Sequence, residues 1–118
     1  MSRDGSISIN WADGERVFRL AWAELGMLQD ECDAGPFVIL QRLTHGTWRL
    51  KDITAPIRLG LVGGGMKPDE ALRMVQTYVE NRPPLENRGL ALAILSAAVM
   101  GPADEALGEG RAARKRSA

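Results

Sequence analysis

Cysteine and histidine are nearly missing from this chain, whose 118 residues hold one of each, Cys32 and His45. A single cysteine excludes an intrachain disulfide framework and fits a reducing cytosol. Neither residue has a CxxC or a second histidine nearby, so nothing matches the spacing of a metal site. An excess of either charge is missing too. Fifteen Lys and Arg balance fifteen Asp and Glu, leaving no net field to steer the chain toward nucleic acid or an anionic membrane. The opening "MSRDGSISIN" has no apolar stretch of the kind a secretory signal needs. The longest strongly apolar run, Leu90 to Met100, is too short to span a bilayer. These absences predict a soluble cytoplasmic protein with neither a nucleic-acid nor a membrane partner. Its 45% hydrophobic and 25% charged residues are ordinary for a globular protein. The length suits one domain with a modest core.

The patterning predicts a mainly α protein with a short N-terminal β-hairpin, an α+β chain forming a single compact domain of about five helices. In "SISINWADGERVFRL", residues 6–20, Ile7, Ile9 and Trp11 alternate with polar residues. Val17, Phe18 and Leu20 supply the return strand, and Asp13-Gly14 offers positive φ to the turn. Trp22, Leu25, Leu28 and Cys32 then fall on one helical face. Gly35-Pro36 opens a second helix, which carries Val38, Ile39 and Leu43 and stops at Gly46. A third helix covers about Asp52 to Val62, with Ile53, Ile57 and Leu61 spaced four apart. Either Asp52 caps it, and Pro56 removes an early hydrogen bond, or Thr54 caps it, and Pro56 falls in the first turn. Helix four runs from Pro68 to about Glu80 on a stripe of Ala71, Leu72, Met74, Val75, Tyr78 and Val79. Helix five, about Leu85 to Met100, is apolar on nearly every side after Leu90 and is therefore expected at the centre. Residues 102–118, "PADEALGEGRAARKRSA", have no durable apolar pattern and read as a mobile charged tail after a domain of residues 1–101.

The stretch "IRLGLVGGGMKPDEALRMV" holds Gly63, Gly64 and Gly65, then Lys67 and a helix, the ingredients of a phosphate-binding loop. The spacing fails. Met66 separates the last glycine from the lysine, and Pro68 replaces the hydroxyl that would hold magnesium. Asp69 and Glu70 occupy the first helical turn, where they complement the dipole and repel phosphate. The three glycines are expected to act as a structural turn that reverses the chain between two helices.

Other candidates reduce to packing or solvation. His45 sits at a helix end, Cys32 reads as a buried inert thiol, and Trp11, Trp22 and Trp48 as core anchors. "RAARKR" reads as solvated charge. Glu24, Asp30, Glu31 and Asp33 have no nucleophile, base or ligand set beside them. No catalytic, cofactor-binding or metal-binding constellation is legible, which points away from an enzyme.

Over about residues 6–101 the order of these segments resembles a known family. Its most specific parts are "IRLGLVGGGM" before a Pro-Asp-Glu-Ala helix, and "PLENRGLALAILSAAVMG" as the closing helix. The chain is similar to the small tail proteins of gene transfer agents, the domesticated phage particles of alphaproteobacteria, and of related phages and prophages. That family is grouped with phage tail assembly chaperones and has also been labelled a tail tube protein. The chain departs from it at Lys67, where a capping Ser or Thr is usual, and at Pro56. The resemblance implies a non-enzymatic assembly chaperone. It would coat the tape measure protein, help recruit tail tube subunits, form homo-oligomers in some cases, and stay out of the finished particle. The alternative it implies is a structural component of the tail.

If a partner is bound, the surplus apolar surface of the last helix offers Leu90, Ile94, Leu95, Val99 and Met100 as the interaction strip. The same surplus is expected, and more often found, in a helix at the centre of a small core.

Overall fold

The alternation over the first twenty residues folds as it reads. In the computed structural model, which describes residues 3–101, strand β1 (Ile7–Trp11) pairs antiparallel with β2 (Gly14–Phe18), Ile7 opposite Phe18 and Trp11 opposite Gly14. This register leaves Ala12 and Asp13 as a two-residue turn. The positive φ falls on Ala12, at 61°, so Gly14 is a strand residue and not the turn glycine. Ile7, Ile9, Trp11 and Phe18 face the core, and Val17 points outward and is exposed.

Five α-helices follow: α1 (Trp22–Cys32), α2 (Pro36–His45), α3 (Leu50–Gly63), α4 (Pro68–Val75) and α5 (Arg88–Met100). The result is one compact, mostly helical domain with a two-stranded hairpin at its start. No described helix is long and apolar enough to cross a membrane. The expected tail, residues 102–118, lies outside the described residues.

Helix α1 starts with the Glu24 carboxylate accepting from the Ala21 amide at 3.1 Å, the N3 half of a capping box. Leu28 and Cys32 are buried on its inner face. Trp22, expected on that face, is 92% exposed. As the first helical residue it stands about 90° round the axis from the Leu25–Leu28–Cys32 stripe, with no preceding turn for its side chain to lie against. Helix α2 begins with Pro36 and ends at Gly46 with φ 83°. Ile39, Leu40 and Leu43 are its buried residues, and Val38 faces solvent.

Helix α3 is the hub, packing against α1, α4, α5 and β2. Neither Asp52 nor Thr54 is its N-cap; the helix begins two residues before Asp52, after Arg49. The Asp52 carboxylate accepts from the Arg49 amide at 2.8 Å, again from the N3 position. Pro56 therefore stands inside the helix, where its ring blocks the bond that the Asp52 carbonyl would accept. Its burial among Ile53, Ile57 and Leu59 offsets that loss with apolar contact.

After Val75 the chain widens into a π turn, Gln76–Glu80, and then a 3-10 turn, Pro84–Asn87, precedes α5. The continuous helix expected to Glu80 is thus an eight-residue α-helix plus the π turn, and α5 begins at Arg88 and not Leu85. Leu72, expected on the inner stripe of α4, is exposed. At the far end of α5, Gly5 lies against the backbone of Ala97 and Ala98, so the first and last described segments meet.

Candidate functional site

The glycine corner is a packing device. Helix α3 runs its last turn directly along the backbone that leaves β2, and the Arg19 amide donates to the Gly60 carbonyl at 2.9 Å. A Cβ on Gly63 would stand 2.9 Å from the Arg19 carbonyl carbon and closer still to its oxygen. A Cβ on Gly64 would meet the Val17 carbonyl in the same way, 2.8 Å from its carbon. Gly65 has open space around it and a φ of 114°, a conformation side chains rarely adopt. Two of the glycines thus permit close approach and the third permits the bend.

The amides of Gly64, Gly65 and Met66 are held inside the same corner. Gly64 N–H donates to Gly60 O, Gly65 N–H to Val62 O and Met66 N–H to Leu61 O, at 2.9, 3.0 and 2.9 Å. The neighbouring recess mixes Arg16 and Arg73 with Asp13 and Glu70, and Asp13 already holds Arg16 at 2.6 Å. That arginine is the stronger cause of the lowered Asp13 pKa.

Two polar nodes went unnoticed in the sequence. The first is buried Asp52, which accepts from Arg42 Nη1 at 3.4 Å besides the Arg49 amide. Arg42 also donates to the Cys32 carbonyl at 3.4 Å. Cys32 Sγ sits beside this group, 3.5 Å from the Lys51 carbonyl, to which its thiol donates. Burial, reinforced by the Asp52 charge, pushes its pKa up to about 12, so the reactive thiolate is suppressed. Asp52 stood in the sequence only as a cap candidate, and nothing local signalled its arginine ten residues upstream.

The second node ties the hairpin to the π turn. Trp11 Nε1 donates to Asn87 Oδ1 at 3.0 Å, and Asn87 Nδ2 donates to the Tyr78 carbonyl at 3.0 Å. The Trp11 ring stands edge-on to Phe18 and Tyr78, with centroids 5.8 and 5.9 Å away. Asn87 therefore satisfies a carbonyl of the π turn while fixing the indole.

The five strip residues do not form one exposed surface. Ile94 and Leu95 are core side chains, Leu90 and Val99 are partly buried, and Met100 is 65% exposed. Helix α5 spends its apolar surplus on α2 and α3, so Ile94 and Leu95 are closed to a partner in this conformation. Besides Met100, exposed apolar surface lies elsewhere. Trp22 projects at one end of α3, because Arg19 and Glu24, on either side of it in sequence, abut Gly63. At the other end a groove of about 380 Å³ opens between the first turn of α3 and the segment from Val79 to Pro84. Leu50, Ile53, Val79 and Pro84 form its apolar lining, with Lys51, Glu80 and Arg82 among its polar residues. Leu50 is 64% exposed and Leu85, next to Pro84, is 66% exposed. No group of His, Cys, Asp and Glu among the described residues could hold a metal ion.

The family model described as "Phage tail tube protein, GTA-gp10" matches residues 4–101, the whole hairpin and all five helices. The chain belongs to this family. The GTA-gp10 family is one of phage and gene transfer agent tails, as the resemblance implied, and its description names a tube protein and not a chaperone. Comparisons with curated proteins and with solved structures gave no match.

Proposed function

We propose that the chain is a structural subunit of the tail of a phage-like particle or gene transfer agent, in the tube or bound to it, without enzymatic activity. The observation that carries this is the match of residues 4–101 to a tail tube family. Surface and core suit it: the polar nodes brace helix starts and turns, and large apolar side chains such as Trp22, Leu50 and Leu85 are left exposed. Mass spectrometry of purified particles tests it. A stoichiometric amount of this chain in the tail is the expected result, and its absence from intact particles would overturn the reading.

A second reading, an assembly chaperone for the tape measure protein, is favoured by two features. The described residues form a two-stranded sheet only, whereas ring-building through β-sandwiches requires many more strands. An open apolar groove also suits an amphipathic helix. On that reading the chain acts in the host cytoplasm, coats the tape measure in several copies and leaves before the particle is complete. Co-expression separates the two: a chaperone keeps the tape measure soluble and is missing from particles.

A further inference from the structure

The wall that closes the groove opposite α3 is a thin piece of chain. Between Val75 and Arg88 the buried residues are Val79 and Asn87, and Glu80 to Glu86 are exposed throughout. Apart from α4, which it continues, the π turn Gln76–Glu80 packs mainly against the 3-10 turn Pro84–Asn87. Hollows undercut this stretch on two sides. The groove lies under Val79, Glu80, Arg82 and Pro84. A second recess, of about 360 Å³, is lined by Trp11, Ala12, Tyr78, Arg82, Glu86 and Asn87. Arg82 borders both, so one thickness of chain divides them.

The stretch is also narrowly attached. Asn87, at the foot of α5, donates to the Tyr78 carbonyl at 3.0 Å and is itself held by the Trp11 indole at 3.0 Å. The pair of Arg82 and Glu86, at 3.1 Å, is exposed and lies within the stretch, so it ties the wall to nothing else. A π turn carries one more residue than the α turn it replaces, and such turns concentrate at functional sites. That extra residue gives the stretch slack. We propose that residues 76–86 form a hinged wall that swings away from α3 to open the groove, with Asn87 as its latch and Trp11 as the residue that positions the latch. Opening exposes one core side chain, Val79, and breaks the bond from Asn87 to Tyr78. Unfolding α3 exposes Ile53, Ile57, Leu59 and Leu61 together. The wall therefore opens far more often than the domain unfolds, which places it among the low-stability segments from which lids and binding loops are drawn. This holds whether the chain stays in the tail or leaves it.

Hydrogen exchange of the full chain, followed by NMR in low urea, tests the wall. The amides of the π turn are expected to exchange about 100-fold faster than those of Ile57 to Leu61, at a rate that urea hardly changes. Trp11→Phe keeps an aromatic ring and removes the N–H that holds Asn87. It is expected to speed the π-turn amides by about 5–10-fold. A thiol on the groove floor reports the hollow directly. In Ile53→Cys, combined with Cys32→Ala, its protection from DTNB relative to the urea-unfolded chain is expected to be about 100-fold weaker than that of Cys32 in wild type. Trp11→Phe is expected to weaken it further, by the same factor as the amides. Asn87→Ser makes the same comparison if circular dichroism shows Trp11→Phe unfolded. Three results would each overturn the wall: π-turn amides that exchange only when α3 does, a latch variant that leaves them unchanged, or a thiol at position 53 as protected as Cys32. The particle measurement is independent of all three, because a chain found in tails with a fixed wall would refute the hinge and leave the tail assignment standing.

Discussion

Replacing Gly63 with alanine would place a methyl carbon 2.9 Å from the carbonyl carbon of Arg19 and nearer still to its oxygen. Non-bonded carbons rest at about 3.5–4.0 Å, so α3 and the end of β2 must part by about 1 Å. The neighbouring atom is backbone and cannot swing aside like a side-chain tip. Parting them stretches the bond from the Arg19 amide to the Gly60 carbonyl, 2.9 Å in the native fold, and lifts the fully buried Phe18. Overpacking of this sort costs about 1–3 kcal/mol, and the weakened hydrogen bond about 1 kcal/mol more. Better helix propensity returns about 0.5–1 kcal/mol. The net loss is about 1–3.5 kcal/mol, a drop in Tm on the order of 5–20 °C for a domain of this size. Gly64→Ala meets Val17 in the same way and should behave alike. Gly65→Ala has space but a φ of 114°, for a loss of about 1–2 kcal/mol. Gly26→Ala, inside α1 with nothing within 4 Å, is the control and should gain about 0.5–1 kcal/mol. Urea titration read by circular dichroism measures all four. If Gly63→Ala and Gly64→Ala unfold within about 0.5 kcal/mol of wild type, the close approach is not what those glycines provide.

Three further outcomes follow from the Asp52–Cys32 node and the glycine corner. Asp52→Ala leaves the Arg49 amide without its acceptor and Arg42 with only the Cys32 carbonyl, and should cost about 3 kcal/mol; a loss under about 1 kcal/mol in urea would show that the buried carboxylate is dispensable. Cys32 should resist maleimide in the native protein at pH 8 and react fully in urea. Its unfolded thiol ionises near 9.0 and its folded thiol at about 12, so between those values the folded state binds the extra proton and stability falls as pH rises. Cys32→Ala should flatten that decline, and an identical pH profile in the variant would refute the assignment. ATP and GTP should give no titration heat at the glycine corner; micromolar affinity that vanishes in Lys67→Ala would reverse the reading of its amides.

The hairpin and helices were legible because alternation and helical stripes mark which faces are buried. What escaped depended on neighbours distant in the chain or on register. Positive φ went to Ala12 because pairing Trp11 with Gly14 moved the turn one residue earlier than Asp13-Gly14 suggested. The π turn is held by Asn87 and Trp11, which the stretch from Pro68 to Glu80 does not contain. Pro56 left the start of α3 open, because the deciding bond, Asp52 to the Arg49 amide, forms upstream of both candidate caps. The glycine corner was legible as a place where side chains are unwelcome, but the reason differed: the excluded space belongs to the Val17 and Arg19 carbonyls at the end of β2, more than forty residues earlier in the chain. For the interaction strip, hydropathy showed a surplus on α5 without showing that α2 and α3 consume it. The exposure of Trp22, one residue of a seemingly regular stripe, has no counterpart in composition or spacing.

The hydrogen bond from Trp11 to Asn87 spans 76 residues of chain, and Gly5 rests on Ala97 and Ala98. During synthesis the hairpin is therefore made first and completed last. At about 5–20 residues per second, the strand that carries Ile7, Ile9 and Trp11 waits several seconds for Asn87, the partner of its indole. The nascent chain passes through a stage with an apolar ribbon uncovered and its closing helix still within the ribosome, and the same face that ends as core begins as the surface most open to a wrong neighbour.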